Sequence, residues 1–471
     1  MILTVARKEF REIIRDGRIK WSALILAVML VAALATAAQR YADISAERAS
    51  AQEVVNMQFA AQGEKNPHAA AHYGLYAFKP VTPLSFFDTG VGSYTGVSVW
   101  LEAHKQNDAE GEPARDATAI ARFGELTAAF TLQMLLPLLV ILLAFPSFAG
   151  EREAGTLRQV LSMQVAPVQL LFGKALGAAA ALSVFIGPIL LLGLIGLMLT
   201  PGGLAYLGHG VVLVAVYMIY ALIFLFLTLA VSANVRTAQA ALVVMVGFWA
   251  VSSFVLPRAA SDVSRLLYPT PSAVSFQANI DEALQSGLDG VSPDTVVQQR
   301  QKQTLALYKA ETVEELPINF QGMIFDLQEK LGNEVFDKFY GDLYAIFDQQ
   351  TGLHQAFSIG SPRMATQLAS MELSGTSLNQ HLEFTGQAES YRRELIEGMN
   401  RDITFNSAAG QADYRADSAL WASIDPFAYQ PAPLGALLTR LGPSFMVMFL
   451  WLALSIVAGV LAVRKVKVTL G

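Results

Sequence analysis

The stretch 150–174, GEREAGTLRQVLSMQVAPVQLLFGK, gathers charged and apolar side chains in an order that suits recognition rather than covalent chemistry. Glu151, Arg152, Glu153 and Arg158 make a charged edge. Gly155 or Thr156 can open a helix on which Leu157, Val160, Leu161 and Gln164 recur at helical spacing. Pro167 closes that helix and allows another from Val168 onwards. The segment predicts a short amphipathic helix held between two membrane spans, a handle for a soluble partner or an interfacial anchor for its own loop. It offers no phosphate cradle, because Gly173-Lys174 is followed by Ala175 and Val168 stands where a nucleotide-binding loop needs its first glycine.

The remaining reactive residue types are sparse. Cysteine is absent, which removes disulfides, thiol catalysis and thiolate-held metals. His68 and His72 in HAAAH are spaced to share a cation on one helix face, but Pro67 and the turn-forming residues around it argue against a helix there. His104 in LEAHKQN and His381 in SLNQHLEF read as surface or capping residues. Neither HExxH nor a nucleophile elbow occurs. The expectation is a non-catalytic chain with no catalytic, cofactor or metal site.

The elements that must position the 150–174 segment are membrane helices. Of 471 residues 53% are hydrophobic and only 15% charged, whereas soluble domains carry about 25% charged residues. Six runs approach the roughly 20 apolar residues that cross a bilayer, near 21–38, 126–149, 175–199, 210–231, 238–256 and 443–463. They contain essentially no ionisable residue, which argues against a proton- or sodium-coupled transporter. The formal charge of −6 and the lack of a basic run exclude nucleic acid as a partner.

Lysines and arginines set the expected orientation. They crowd residues 7–20, the 150–174 connection, Arg236 and the tail after 463, and are missing from TPGGLAYLG. Six spans with both termini in the cytoplasm follow, the first span serving as a retained signal anchor. Residues 1–20 repeat apolar side chains as an amphipathic interfacial helix. Two regions then lie outside: 39–125, beginning as a helical extension of the first span and passing into loop with short strands, and 257–441, a mainly helical domain. In the latter, Thr312 with Glu315 fits a capping box. Phe336, Phe339, Tyr340, Leu343 and Phe347 form one core stripe, and Leu378, Leu382, Tyr391, Leu395 and Met399 another. Among the spans, Pro137, Pro146 and Pro188 can kink helices, and Gly187, Gly193 and Gly196 allow close packing.

The pattern carried by Glu151, Arg152, Glu153, Gly155, Thr156, Leu157, Leu161, Pro167, Gly173 and Lys174 resembles the coupling-helix motif of type-2 ABC transporter permeases. FFDTGVGSYTGVSVWLEAHKQN (86–107) and residues 361–400 are similar to a bacterial subgroup with a large domain of unknown function between its fifth and sixth spans. The resemblance implies an all-α polytopic membrane protein of a bacterial inner membrane, paired with a second permease as a homodimer or heterodimer. It implies a separate ABC ATPase subunit that holds ATP and magnesium, leaving no cofactor in this chain. Glu151, Arg152, Glu153, Gly155, Thr156, Leu157 and Leu161 then form the contact with that ATPase. Export is the expected direction. The alternative is a mechanotransmission role, in which the ATPase stroke moves the outer domain against a periplasmic partner.

Overall fold

A computed structural model describes residues 1–116, 126–163, 165–411 and 413–466. Gln164, residues 117–125 and the tail from Lys467 lie outside these described residues, and the expectations placed on them are not taken further. The chain is mostly helical. Six helices are long and apolar enough to cross a membrane: Gly17–Ala60, Ala128–Glu153, Pro167–Leu199, Gly203–Asn234, Ala238–Leu267 and Gly442–Arg464. The protein is thus a multi-pass membrane protein by the length and composition of its helices.

Helix α1 (Ile2–Arg15) is amphipathic as its spacing predicts, with Ala6, Glu9 and Ile13 on the buried face. Helix α2 (Gly17–Ala60) follows, its Asp16 cap accepting from the Arg18 N–H. It runs well beyond the first apolar stretch. The second span is two helices, α4 (Ala128–Ala144) and α5 (Pro146–Glu153). Then come the short α6 (Thr156–Ser162), and spans α7 (Pro167–Leu199) and α8 (Leu207–Asn234).

Two prolines in the second span remove backbone hydrogen bonds, and α8 supplies the replacements. Pro137 cannot donate to the Gln133 carbonyl, which instead accepts from the Tyr220 hydroxyl at 2.9 Å. Where Pro146 restarts the helix, Ser232 Oγ accepts from the N–H groups of Phe148 and Ala149, each at 3.1 Å, and donates to the Phe145 carbonyl at 2.7 Å. The close helix approach falls elsewhere than expected. A methyl on Gly187 or Gly196 would meet nothing within 4 Å, and Gly193 faces only Leu34. Gly173 and Gly177, four apart on α7, are the true contact. An added Cβ there would sit 2.6 Å from Val5 Cβ and 2.5 Å from the Ala6 carbonyl, so α1 lies directly on these two glycines.

The fifth span joins α9 (Ala238–Ala250) to α10 (Leu256–Leu267) through a π-helical turn at Val251–Val255. Beyond it lie α11 (Ala273–Ser286), α12 (Pro293–Tyr308), α13 (Phe320–Phe357), α14 (Pro362–Ser374) and α15 (Leu378–Asn406). The chain re-enters the membrane region with α16 (Leu434–Arg440) and the last span α17 (Gly442–Arg464).

The two regions outside the apolar runs pack together. Helix α3 (Pro67–Tyr73) and strands β1 (Leu75–Phe78) and β2 (Ser98–Glu102) lie against α15, and β3 (Lys105–Gln106) against α13, with the antiparallel order β1-β2-β3. Ala70, Ala71, Leu75, Leu395, Met399 and Trp421 share one core, and Ile280, Val335, Phe336 and Tyr340 another. Phe336 and Tyr340 of one predicted stripe and Leu395 and Met399 of the other are therefore core, with Phe339 and Tyr391 packed beside them, whereas Leu343, Phe347, Leu378 and Leu382 are only half-buried. The capping box is not formed: Thr312 precedes a single 3-10 turn without a side-chain cap bond, and Glu315 accepts from the Glu311 N–H at 2.8 Å instead.

His381 lies in the first turn of α15, half-buried, and it is Ser377 that caps the helix. Burial, with Lys79 beside it, pulls the imidazole from 6.5 to about 4. Between those values the unfolded chain binds a proton that the folded chain does not. Stability therefore falls as pH drops from 6.5 towards 4. The variant His381→Gln removes one proton from that linkage, and its melting temperature plotted against pH is expected to show a shallower acid limb.

Helix α14 departs most from the expected layout. It belongs by sequence to the 257–441 region expected to form a separate domain, yet packs among spans α4, α8 and α17, with Ala365, Ala369 and Leu373 in the same apolar core as the spans. Part of its polar surface is satisfied there, while Arg363 Nε, Glu372 Oε1 and the Ser374 hydroxyl make no hydrogen bond among the described residues. Ser370 Oγ bonds Asp88 and lies 3.1 Å from the Tyr217 hydroxyl, which accepts from Gln133 at 3.1 Å. Arg363 donates to the Ser253 carbonyl at 3.1 Å, and Ser361 to the Ser252 carbonyl at 2.8 Å, capping backbone exposed by the π turn. The bundle thus contains buried Asp88, Arg363 and Glu372, although the apolar runs themselves carry no such groups.

Candidate functional site

The 150–174 segment forms the turn between the second and third spans. Helix α5 ends at Glu153, and Gly155 adopts φ +73°, a left-handed conformation that reverses the chain into α6. Glycine takes this conformation without steric cost, which explains its place between the two helices. Pro167 occupies the first turn of α7, where its missing N–H is harmless, and that helix continues unbroken to Leu199. The segment is therefore joined rigidly to a span at each end.

The motif residues divide into two groups. Glu151 and Arg152 are turned inward. Glu151 Oε1 lies 2.7 Å from Lys8 Nζ and 2.9 Å from Lys174 Nζ, and Lys174 also reaches Glu9 Oε2 at 3.0 Å. Glu9 Oε1 accepts from Ser147 Oγ at 2.9 Å. Lys174 is only 1% exposed, so its charge is neutralised by two carboxylates brought from α1 and α5. Arg152 caps the end of α8, donating to the Ala233 carbonyl at 2.7 Å and to the Val235 carbonyl. A cation there complements the partial negative charge of the helix C-terminus.

The second group faces outward. Glu153, Ala154, Gly155, Thr156, Arg158, Gln159, Ser162 and Met163 are exposed, while Leu157 is buried and Val160 and Leu161 half-buried. The helix thus pins itself by Leu157 and presents a ridge carrying one acid, one base and an exposed methionine. Thr156 Oγ1 donates back to the Glu151 carbonyl at 3.3 Å, tying the start of α6 to α5. Of the seven predicted contact residues, Glu153, Gly155 and Thr156 lie on this ridge. Glu151, Arg152 and Leu157 hold it in place from behind, and half-buried Leu161 adjoins them.

Sequence reading passed over two features. Glu9 and Lys8 complete the ion-pair cluster from a helix more than a hundred residues away in the chain. Their signal was only the acid on the apolar face of α1. The other feature is the histidine set. Residues 67–73 do form a helix, because Pro67 sits in its first turn and Asn66 caps it. His104 neither caps an element nor stands apart, but faces His68 and His72.

The family model described as Domain of unknown function (DUF3526) matches residues 289–430. No curated protein matches the chain. The matched span covers α12 to α15 and the chain beyond, including the helix inserted among the spans.

Proposed function

We propose that this chain is the membrane-spanning permease subunit of an ATP-driven transporter of the type-2 ABC class, gripped by a separate ATPase through the ridge at 153–163. On this reading both termini and the ridge face the cytoplasm, the body built from α3, β1–β3 and α11–α15 lies outside a bacterial inner membrane, and a second permease completes the path. ATP and magnesium belong to the ATPase. The observation that carries the reading is mechanical. A short exposed helix is locked by Arg152 to the end of one span and, through Lys174, Glu151 and Glu9, to another span and to α1. A push on such a handle moves whole helices rather than a loop.

The test separates the ridge from its anchor. With the cognate ATPase co-purified, Glu153→Lys is expected to lower complex recovery and ATP-driven transport about tenfold, the loss of one charge-assisted contact, with the melting temperature unchanged. Glu151→Lys is expected to lower the melting temperature as well, because it breaks the internal cluster. Full association and transport in Glu153→Lys would overturn the coupling role.

A second reading is favoured by α14. A polar helix of the outer region is built into the bundle through Ser370, Arg363 and Ser361, so movement of the spans is transmitted to the outer body directly. The ATPase stroke would then drive that body against a periplasmic partner. Transport of no solute by an otherwise coupled complex, with ATP-dependent motion between α14 and α8 seen by spin-label distances, would select this reading.

A further inference from the structure

Three imidazoles converge where α3 meets the hairpin between β2 and β3. His68 and His72 stand four apart on one face of α3, with their Nε2 atoms 3.1 Å apart. His104 comes from the two-residue turn of the hairpin and completes a triangle. Its ring centroid lies 5.3 Å from that of His68 and 5.2 Å from that of His72, and the latter two are 4.6 Å apart. One nitrogen from each residue falls within a set whose members are all within 4.8 Å of one another. Two nitrogens bound at about 2.0–2.1 Å on a tetrahedral zinc are roughly 3.3 Å apart, so the α3 pair already has nearly the required separation.

The surroundings hold the rings in this arrangement. His104 has φ +64°, a left-handed conformation that is uncommon for any side chain but glycine and aims the ring out of the turn. Its Nδ1 lies 2.8 Å from Glu329 Oε1, which leaves Nε2 as its free donor. Glu329 is in turn held by Arg392 at 3.1 Å. A carboxylate on the far nitrogen of a histidine is the usual way a metal-binding imidazole is oriented and made more basic. His68 stacks flat on Phe325, ring centroids 3.5 Å apart. None of these contacts gives three imidazoles a reason to face one another, and Nε2 atoms meeting at 3.1 Å are favourable only with a proton or a cation between them.

We propose that His68, His72 and His104 bind one late first-row divalent cation of the zinc class, with Glu329 orienting His104. Three neutral nitrogen donors suit zinc, copper or nickel and are poor ligands for magnesium or calcium, which prefer oxygen. His72 is solvent-exposed, so the fourth coordination position faces water. The cation ties α3 to the hairpin, and the His104–Glu329–Arg392 chain connects that pair to α13 and α15.

The test uses the full-length, tag-free chain in nanodiscs, stripped with chelator and titrated with zinc alone, uptake being read by calorimetry and bound metal by elemental analysis. One zinc per chain is expected, together with a rise in melting temperature that magnesium does not reproduce. His72→Ala removes an exposed ring and His104→Asn keeps a residue tolerant of positive φ, so both variants fold. Each is expected to abolish the tight site, while Glu329→Gln weakens it by about 10–100-fold. Zinc uptake no tighter in the wild-type chain than in His72→Ala would overturn the site. Full affinity in His104→Asn would reduce it to a helical histidine pair and overturn the three-ligand proposal.

Discussion

Lys174→Met is expected to destabilise the chain by about 3–5 kcal/mol, the usual cost of deleting one partner from a buried ion pair. The lysine is almost completely buried, and without it Glu9 and Glu151 face each other with only Lys8 as a cation. Glu9 is the more exposed to this loss in energetic terms, since its side chain is buried and its other partner is the neutral Ser147 hydroxyl. The penalty is therefore mainly an uncompensated carboxylate rather than a lost attraction. It follows that the double variant Glu9→Gln/Lys174→Met should recover much of the stability, and a thermal unfolding series of wild type, both single variants and the double in nanodiscs reads the coupling directly. If Lys174→Met alone left the melting temperature unchanged, the cluster could not be the anchor on which the handle depends.

The cluster also marks the limit of what a linear reading can find. The apolar runs, the amphipathic α1 and a helix start at Gly155 or Thr156 were legible, because hydropathy and helical period are local properties; the left-handed turn at Gly155 was not read. Lys174 was legible only as a motif letter. Its partner Glu9 comes from α1, which reaches it because Gly173 and Gly177 let two backbones touch, and a glycine pair announces close packing without saying against what. Gly187 and Gly196 had the same sequence signal, yet a Cβ there would meet none of the described residues within 4 Å.

Helix α14 was hidden for a different reason. PRMATQLASMELS is too polar for a hydropathy window to place among spans, and it is tolerated there because the Thr366 and Ser370 hydroxyls find partners. Thr366 donates to the Pro362 carbonyl of its own helix at 2.9 Å, and Ser370 meets Asp88 and Tyr217. Burial of such a segment depends on partners that only tertiary structure brings together. The absence of charge from the apolar runs was read correctly. The inference that the bundle is free of ionisable groups did not follow, because Asp88, Arg363 and Glu372 enter it from the connecting segments. The histidine triangle has the same origin. His68 and His72 carry a visible spacing, whereas His104 joins them through a hairpin whose pairing no local pattern specified.

The body built from α3, β1–β3 and α11–α15 has its own counterpart to Lys174, and Arg392→Leu is expected to cost a comparable 3–5 kcal/mol, about the price of stranding buried carboxylates. The guanidinium is 1% exposed and uses its whole fork: Glu389 at 2.7 Å, Glu329 at 3.1 Å, Asn333 Oδ1 at 2.5 Å and the Glu102 carbonyl at 3.2 Å. Arg392→Lys keeps the charge but cannot serve four acceptors from a single ammonium, so it should restore only part of the loss. The neighbouring Arg393 provides the contrast. It pairs with Asp337 at 2.7 Å and with Glu389 at 2.7 Å from a more exposed position, where Arg392 still holds Glu389 when it is removed, and Arg393→Ala should cost only about 1 kcal/mol. Amide exchange along α13 and α15 localises the effect, since those helices are joined through Arg392. Equal melting temperatures for Arg392→Leu and Arg393→Ala would show that burial does not separate the two arginines. A large loss confined to Arg392→Leu would mean that the carboxylate oriented towards His104 is held by the same side chain that fastens α13 to α15, so the histidine triangle and the stability of that body share one buried guanidinium.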